Sequence, residues 1–197
     1  MAIILASKSP RRQELMRRLG LAFTIHPADV DATMDPARPP EQEGVRVSGL
    51  KAAKIAETAA PEDIVVAADT IVVVDGTVLG KPHSEAEAQQ MLRTLSGRGH
   101  EVMTGLSGWH GGCLRQEVVR TRVHFRPMSG EEITAYIATG EPMDKAGSYG
   151  IQGYGAIFVD HLEGDYFSVM GLPLCPLERM LRDCGVHILH EKEAETA

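Results

Sequence analysis

The stretch Ile64-Val-Val-Ala-Ala68 carries no polar side chain and runs straight into Asp69-Thr70. A strand that is wet on one face alternates polar and apolar residues, whereas a strand without polar positions is covered on both. Ala2 to Ala6 has the same character. Two doubly covered strands require helices on either side of a sheet, and the rest of the chain supplies them, so the predicted class is α/β.

After the first strand, Ser9 and Pro10 suit a helix cap and first turn, Leu15, Met16 and Leu19 recur at helical spacing, and Gly20 stands where a closing glycine belongs. Ala22 to His26 is a second strand. Pro27 to Pro40 holds four prolines and is predicted to be a long loop, followed by a helix over 41–60 that stops at Pro61. The strand ending at Ala68 delivers Asp69 at its terminus, and Ile71 to Leu79 reads as two strands about Asp75-Gly76. Capping boxes at Ser84/Glu87 and Ser129/Glu132 open helices to Leu95 and to about Thr139. A hairpin over 100–125 turns at Gly111-Gly112. A glycine-rich loop over 146–155 precedes a strand at 156–159, and Pro173 opens a last helix through Arg182. The expected organisation is a single domain over 1–190 with a frayed tail from 191.

Of the 197 residues, 43% are hydrophobic and 24% charged, enough apolar surface to order most of the chain. The net charge of −7 argues against bulk binding of nucleic acid, so any anion must be held locally. Cys113, Cys175 and Cys184 are too scattered for a disulfide framework or a zinc ribbon, and read as buried thiols in a reducing compartment. No apolar run approaches membrane-spanning length, and the basic residues follow the first short apolar run, the reverse of a signal peptide's order, which makes the cytoplasm the expected location and a membrane partner unexpected.

Familiar catalytic motifs fail on inspection. Gly76 to Pro82 is one residue short of a P-loop and has proline where a magnesium-binding hydroxyl belongs; Gly150 to Gly155 has the wrong glycine order for a dinucleotide fingerprint. His187 and His190 read as a surface pair. Two other features carry chemistry. Ser7-Lys-Ser-Pro-Arg11-Arg12 places two arginines in the first turn of a helix, where free amides already favour negative charge, so an anion would relieve the frustration. The competing reading is a solvated basic turn paired with carboxylates from elsewhere. Asp69, partly desolvated at a strand end, needs a cation, a metal or a proton; it is a metal ligand, a general base, or simply a turn cap. Lys81, Lys145 and Gln152 lie in glycine-containing loops after strands, where α/β proteins build sites.

Taken together, Leu5-Ala-Ser-Lys-Ser-Pro-Arg-Arg12, Ala67-Ala-Asp-Thr70, Leu79-Gly-Lys-Pro82, Leu95-Ser-Gly-Arg98, His100-Glu-Val-Met-Thr-Gly105, Thr139-Gly-Glu-Pro142, Asp144-Lys-Ala-Gly-Ser-Tyr-Gly-Ile-Gln-Gly153, and Gly164-Asp-Tyr166 with Gly171-Leu-Pro-Leu174 resemble the Maf family of nucleoside triphosphate pyrophosphatases. The resemblance runs from about residue 3 to 182. It implies a mixed twisted sheet flanked by helices, two lobes with a central cleft as in inosine triphosphate pyrophosphatases, and commonly a homodimer. It implies hydrolysis of a nucleoside triphosphate to the monophosphate and pyrophosphate with a divalent metal cation, Mg2+ or Mn2+. Carried over by position, the catalytic base is Asp69; selectivity falls to Arg11, Thr70 and Gln152; and Ser7, Arg12, Lys54, Lys81 and Lys145 are further cleft positions. The Asp144 to Gly153 block is similar to the branch acting on dTTP and UTP rather than on 7-methyl-GTP. Family members often carry Asp-Glu where this chain has Asp31-Ala32, so Asp31 or Asp35 would substitute for the acid absent at 32, and Asp31, with Asp69, is the candidate metal ligand.

The chemistry fits the residues. A triphosphate brings about four negative charges, so positioning and charge neutralisation do most of the work, and Arg11, Arg12, Lys81 and a metal ion supply both. Gln152, with donors and an acceptor, suits the edge of a pyrimidine. The alternative class is a nucleotide-binding regulator of cell division without turnover, which also binds a triphosphate but releases no pyrophosphate.

Overall fold

The computed structural model describes residues 1–35 and 38–189. The elements are β1 (Ile3–Leu5), α1 (Pro10–Arg18), β2 (Thr24–Ile25), α2 (Pro40–Ala56), β3 (Ile64–Val74), β4 (Thr77–Leu79), α3 (Glu85–Leu95), β5 (Gly99–His110), β6 (Cys113–Phe125), α4 (Gly130–Ala138), β7 (Val159–Glu163), α5 (Tyr166–Met170) and α6 (Leu174–Asp183), with three 3-10 turns, Glu141–Asp144, Ala146–Ser148 and Tyr154–Phe158, between α4 and β7. The seven-stranded sheet has the order β2-β1-β3-β5-β6-β7, with β4 also on β3. β1 is parallel to β2 and β3, and the other pairings are antiparallel. The sheet is mixed and flanked by helices, as expected.

Helices cover both faces of β3, as its apolar sequence requires. Val65 and Ala67 pack with Ile4, Ala6 and Ala52 of α2. On the other face Ile64, Val66 and Ala68 join Leu15 and Met16 of α1 and Leu177 and Leu181 of α6. Further along that face, Val72 and Val74 meet Ala88 and Leu92 of α3 and Ile133 and Ile137 of α4. α2 approaches the sheet closely because two glycines meet: a Cβ on Gly105 would lie 2.3 Å from the Gly44 carbonyl.

β3 is one continuous strand of 11 residues, so Asp69 sits at its middle rather than at its end. The reason is β5, which pairs with β3 from Val65 to Val73 and sets Gly105 opposite Asp69. On its other edge β3 is paired only at its ends, by β1 at Ile64–Val66 and by β4 at Val72–Val74. Between them, on that edge, Ala67 to Ile71 have no neighbouring strand among the described residues. That notch lets Asp69 and Thr70, which point to opposite faces of the strand, border the same space.

Several local expectations need correction. α2 ends at Ala56, since the carbonyl of Ile55 is already closed by the amides of Thr58 and Ala59. Residues 156–158 are 3-10 turn and the strand begins at Val159, because Glu141 draws the amides of Tyr154 and Gly155 out of register with the sheet. At α3, Ser84 caps Glu87, but the Glu87 carboxylate takes the amide of His83, so the box is half formed, whereas that at Ser129 is complete. α5, five residues capped by Asp165, is too short to show a sequence periodicity. Cys113 and Cys175 are exposed and Cys184 half-buried, not core thiols. His190 and the tail lie outside the described residues. No helix among the described residues is long and apolar enough to cross a membrane.

One core residue makes stability depend on pH. His100 is 2% exposed, its Nε2 lies 2.8 Å from the Tyr149 hydroxyl and Phe125 packs edge-on at 4.9 Å. Burial, and secondarily the neighbouring His124, push its pKa down to about 4. The unfolded imidazole titrates near 6.5, so unfolding takes up a proton below that value and stability rises with pH between about 4 and 6.5. Urea unfolding at pH 5 is expected to give a stability about 2 kcal/mol lower than at pH 7.5 from this residue alone. His100→Gln should flatten the profile by that amount whatever its own cost. An unchanged slope would assign the acid sensitivity to other groups.

Candidate active site

The notch in β3 opens into a cleft of about 470 Å³, within the range of small-ligand sites. Its lining draws on both halves of the core behind it, Ile151 and Met170 on one side and Val72, Val102 and Tyr149 on the other. Six cationic side chains line it, Lys8, Arg11, Arg12, Lys51, Lys81 and Lys145, against two carboxylates, Asp69 and Asp144. In a chain of net charge −7 this is a local excess of four positive charges.

The turn after β1 fills one side of the notch. Ser9 caps α1, and Ser7 Oγ accepts from the Ser9 amide at 3.2 Å. Arg12 then reaches back across the notch. Its Nε donates to the Gly171 carbonyl at 2.7 Å and its two terminal nitrogens to Ser7 Oγ and Thr70 Oγ1, each at 3.2 Å. Thr70 continues the chain through Thr104 Oγ1, 2.8 Å away, to the carbonyl of Ser168 at 2.7 Å. Gly171 has φ +112°, a conformation that L side chains rarely adopt, and this presents its carbonyl to the guanidinium. The alternative of a basic turn neutralised by carboxylates fails for Arg12, since all three acceptors are neutral oxygens. Burial lowers its pKa from the ordinary arginine value, and the charge of Asp69 opposes that shift.

Asp69 is held by a residue the sequence reading passed over. Lys51 Nζ lies 2.6 Å from Asp69 Oδ1, both side chains being mostly buried. Lys54, expected in the cleft, pairs instead with Glu57 on the exposed side of α2 and does not line the site. Helical geometry explains the difference. Lys51 is seven residues past Gly44, two turns along the face that touches the sheet, and Ser48 on that face meets Ser107 Oγ at 2.7 Å. Lys54 is rotated about 80° away from Gly44 around the helix axis.

Lys81 and Lys145 come together through their loops, because the Gly147 amide donates to the Gly80 carbonyl at 3.0 Å. A Cβ on Gly147 would strike Val72, so this turn lies flat on β3. Lys145 Nζ donates to the Glu141 carbonyl and lies 2.7 Å from Asp144, whose pKa it holds below the ordinary carboxylate value. Glu141 also organises the glycine-rich segment after Lys145: its carboxylate accepts from the Tyr136 hydroxyl and from the amides of Tyr154 and Gly155. Gly150 and Ile151 line the cleft, while Gln152, next along, is exposed and not among the lining residues. Asp31 also stays outside. Its carboxylate accepts from the Thr33 amide at 2.8 Å, and the Thr33 hydroxyl first and this amide second lower its pKa. Buried Glu43 bridges Arg46 and the Asp35 amide, while Arg46 donates to the Thr33 carbonyl, tying this loop to α2.

The arrangement is an anion-binding cleft with a carboxylate at its floor, built where the parallel strands β1 and β2 end, the place at which open α/β sheets bind ligands. It defines a site for a multiply phosphorylated molecule. The chain belongs to the Maf-like protein family, whose sequence profile matches residues 2–184. Curated relatives named dTTP/UTP pyrophosphatase include one from Moorella thermoacetica, 48% identical over 94% of this chain and 96% of its own length. Another from Bacillus cereus is 46% identical over 95% and 98%, and one from Caldicellulosiruptor saccharolyticus is 42% identical over 95% and 96%. Among solved structures, a dITP/XTP pyrophosphatase from Mycobacterium abscessus overlaps 65% of this chain and 76% of its own, at 16% identity and a TM-score of 0.41.

Proposed function

We propose that the chain hydrolyses dTTP and UTP to the monophosphate and pyrophosphate, acting as one 1–190 domain in the cytoplasm and as a homodimer. The observation that carries the reading is the cleft's excess of four positive charges around Asp69, matched in size to a bound triphosphate. Relatives of that name, similar over nearly their whole length, support the choice of base.

In this mechanism Arg11, Lys81 and Lys145 take up the phosphates, and Arg12, whose hydrogen bonds go to neutral oxygens, adds a fixed positive field at the floor. Asp69 accepts a proton from water as its oxygen attacks the α-phosphorus. The bond from that phosphorus to the bridging oxygen of the β-phosphate breaks, and pyrophosphate leaves with its charge covered by the lysines. Lys51 keeps the Asp69 carboxylate in place before substrate arrives. When bound, Mg2+ or Mn2+ supplies charge neutralisation and an acidified water. Among the described residues lining the cleft, only Asp69 and Asp144 offer carboxylates, and both are paired to lysines. Oxygen ligands suit a hard cation, and of the two Asp69 would be the residue to hold it. The Asp31 carboxylate serves its own loop. Gln152 borders the lining residue Ile151 and is the selectivity candidate that would turn inward onto the base.

A coupled assay of pyrophosphate release over dTTP, UTP, dCTP, dGTP and 7-methyl-GTP with magnesium tests this. Turnover of dTTP and UTP at least tenfold above the others is expected. Tight binding of dTTP without release of pyrophosphate would leave a nucleotide-binding regulator, and preference for 7-methyl-GTP would move the chain to the other branch.

A further inference from the structure

Away from the cleft, the outer edge of the sheet gathers three metal-ligating side chains that the proposed reaction does not use. His124 on β6 and His161 on β7 are directly opposed in the antiparallel ladder, with a register shift immediately after His124. Their rings stack at 4.1 Å with planes 10° apart. Glu163 lies two residues beyond His161 on the same face of β7. Its Oε1 is 2.9 Å from His124 Nε2 and 3.9 Å from His161 Nε2.

We propose that His124, His161 and Glu163 form a three-ligand site for a late first-row divalent cation of the zinc class. Tetrahedral zinc with bonds of about 2.0 to 2.1 Å needs its ligand atoms about 3.3 Å apart. The two nitrogen–oxygen separations bracket that value, and one ligand atom from each of the three residues lies within 4.8 Å of the other two, so the set closes around an ion once the exposed His161 and Glu163 side chains turn toward half-buried His124 and the two rings leave their parallel stack. Two imidazoles and one carboxylate select zinc, nickel or copper over magnesium, and three protein ligands leave a fourth position for water. Two features prepare the site. His161 Nδ1 lies 2.9 Å from the Asp160 carboxylate, which holds the ring so that Nε2 is presented to a metal. His124 lies over Gly99, where a Cβ would come within 2.9 Å of the ring; the absence of a side chain there makes room for it. An ion here would staple the edge strand β7 to β6 while leaving the cleft unchanged, since none of the three residues lines it.

The test is isothermal titration of the untagged protein with zinc chloride in excess magnesium, which occupies oxygen-only sites. The expected result is one equivalent bound by the wild type. His161→Ala should weaken zinc binding on the order of 100-fold or more, and Asp160→Asn, which touches only the supporting hydrogen bond, about tenfold. A rise in Tm of about 5 °C at saturating zinc should vanish with His161→Ala. Glu163→Gln checks the result independently of the imidazoles and should also lose affinity, with circular dichroism confirming that each variant is folded. Absence of zinc binding by the wild type overturns the proposal. So does binding that survives both His161→Ala and Glu163→Gln, which would place the ion on the thiols or in the cleft.

Discussion

Asp69→Asn is expected to lower kcat by on the order of 100-fold or more while nucleotide binding stays intact or tightens. The substitution keeps the shape of the side chain and one acceptor oxygen but removes the charge and the basicity. In the native cleft that charge is opposed by Lys51 at 2.6 Å. Without it Lys51 is left facing an amide, and the local excess of positive charge increases by one. A triphosphate then meets a more positive site, so its dissociation constant measured without the divalent cation should fall by a few-fold, while turnover with the cation collapses. A purely structural role predicts the opposite pairing, with weaker binding and a lower Tm. Single-turnover kinetics with a fluorescent nucleotide, alongside a thermal melt, separate the two. Near-normal turnover in a folded Asp69→Asn protein would remove this residue from the chemistry.

Legibility in the sequence depended on whether a feature was local. The apolar runs at Ala2–Ala6 and Ile64–Ala68, the caps at Ser9 and Ser129, and the hairpin at Gly111-Gly112 are written in neighbouring residues, and each forms as expected. The continuity of β3 through Asp69 is not local, because it is imposed by pairing with β5. A carboxylate after an apolar run looks like a strand end when the strand that extends it lies some 35 residues downstream. The same holds for the 3-10 turn at 154–158, which is shaped by Glu141. The site divides in the same way. Ser7, Arg11, Arg12, Asp69, Thr70, Lys81 and Lys145 all line the cleft, whereas Asp31, Lys54 and Gln152 do not. Lys51 was missed although a signal existed: counted from Gly44, helical periodicity puts it within about 20° of that glycine, on the face that also carries Ser48. A basic residue on the buried face of an amphipathic helix needs an anionic partner, and Asp69 is that partner.

The two arginines that open α1 look equivalent in the sequence and should behave differently. Arg11 lines the cleft in the first turn of the helix, where a cation is opposed by the free amides and the helix dipole. Arg11→Ala should therefore weaken triphosphate binding by about 1.5 to 3 kcal/mol, the scale of hydrogen bonds to charged groups, while the ligand-free protein melts no lower. Arg12 closes the notch, joining Ser7 after β1, Thr70 on β3 and the Gly171 carbonyl after α5. Arg12→Ala removes three hydrogen bonds and strands the Gly171 carbonyl and two hydroxyls beside a space that water refills. The ligand-free protein should lose about 2 kcal/mol of stability. Binding and kcat should fall too, because the positive charge at the floor of the cleft is gone. Arg12→Lys restores the charge but not the planar fork that spans three acceptors. It should recover part of the binding and little of the stability. Urea melts of the ligand-free variants and dTTP titrations decide the matter. Equal melting of the Arg11→Ala and Arg12→Ala proteins would show that the Arg12 bridge contributes no net stability.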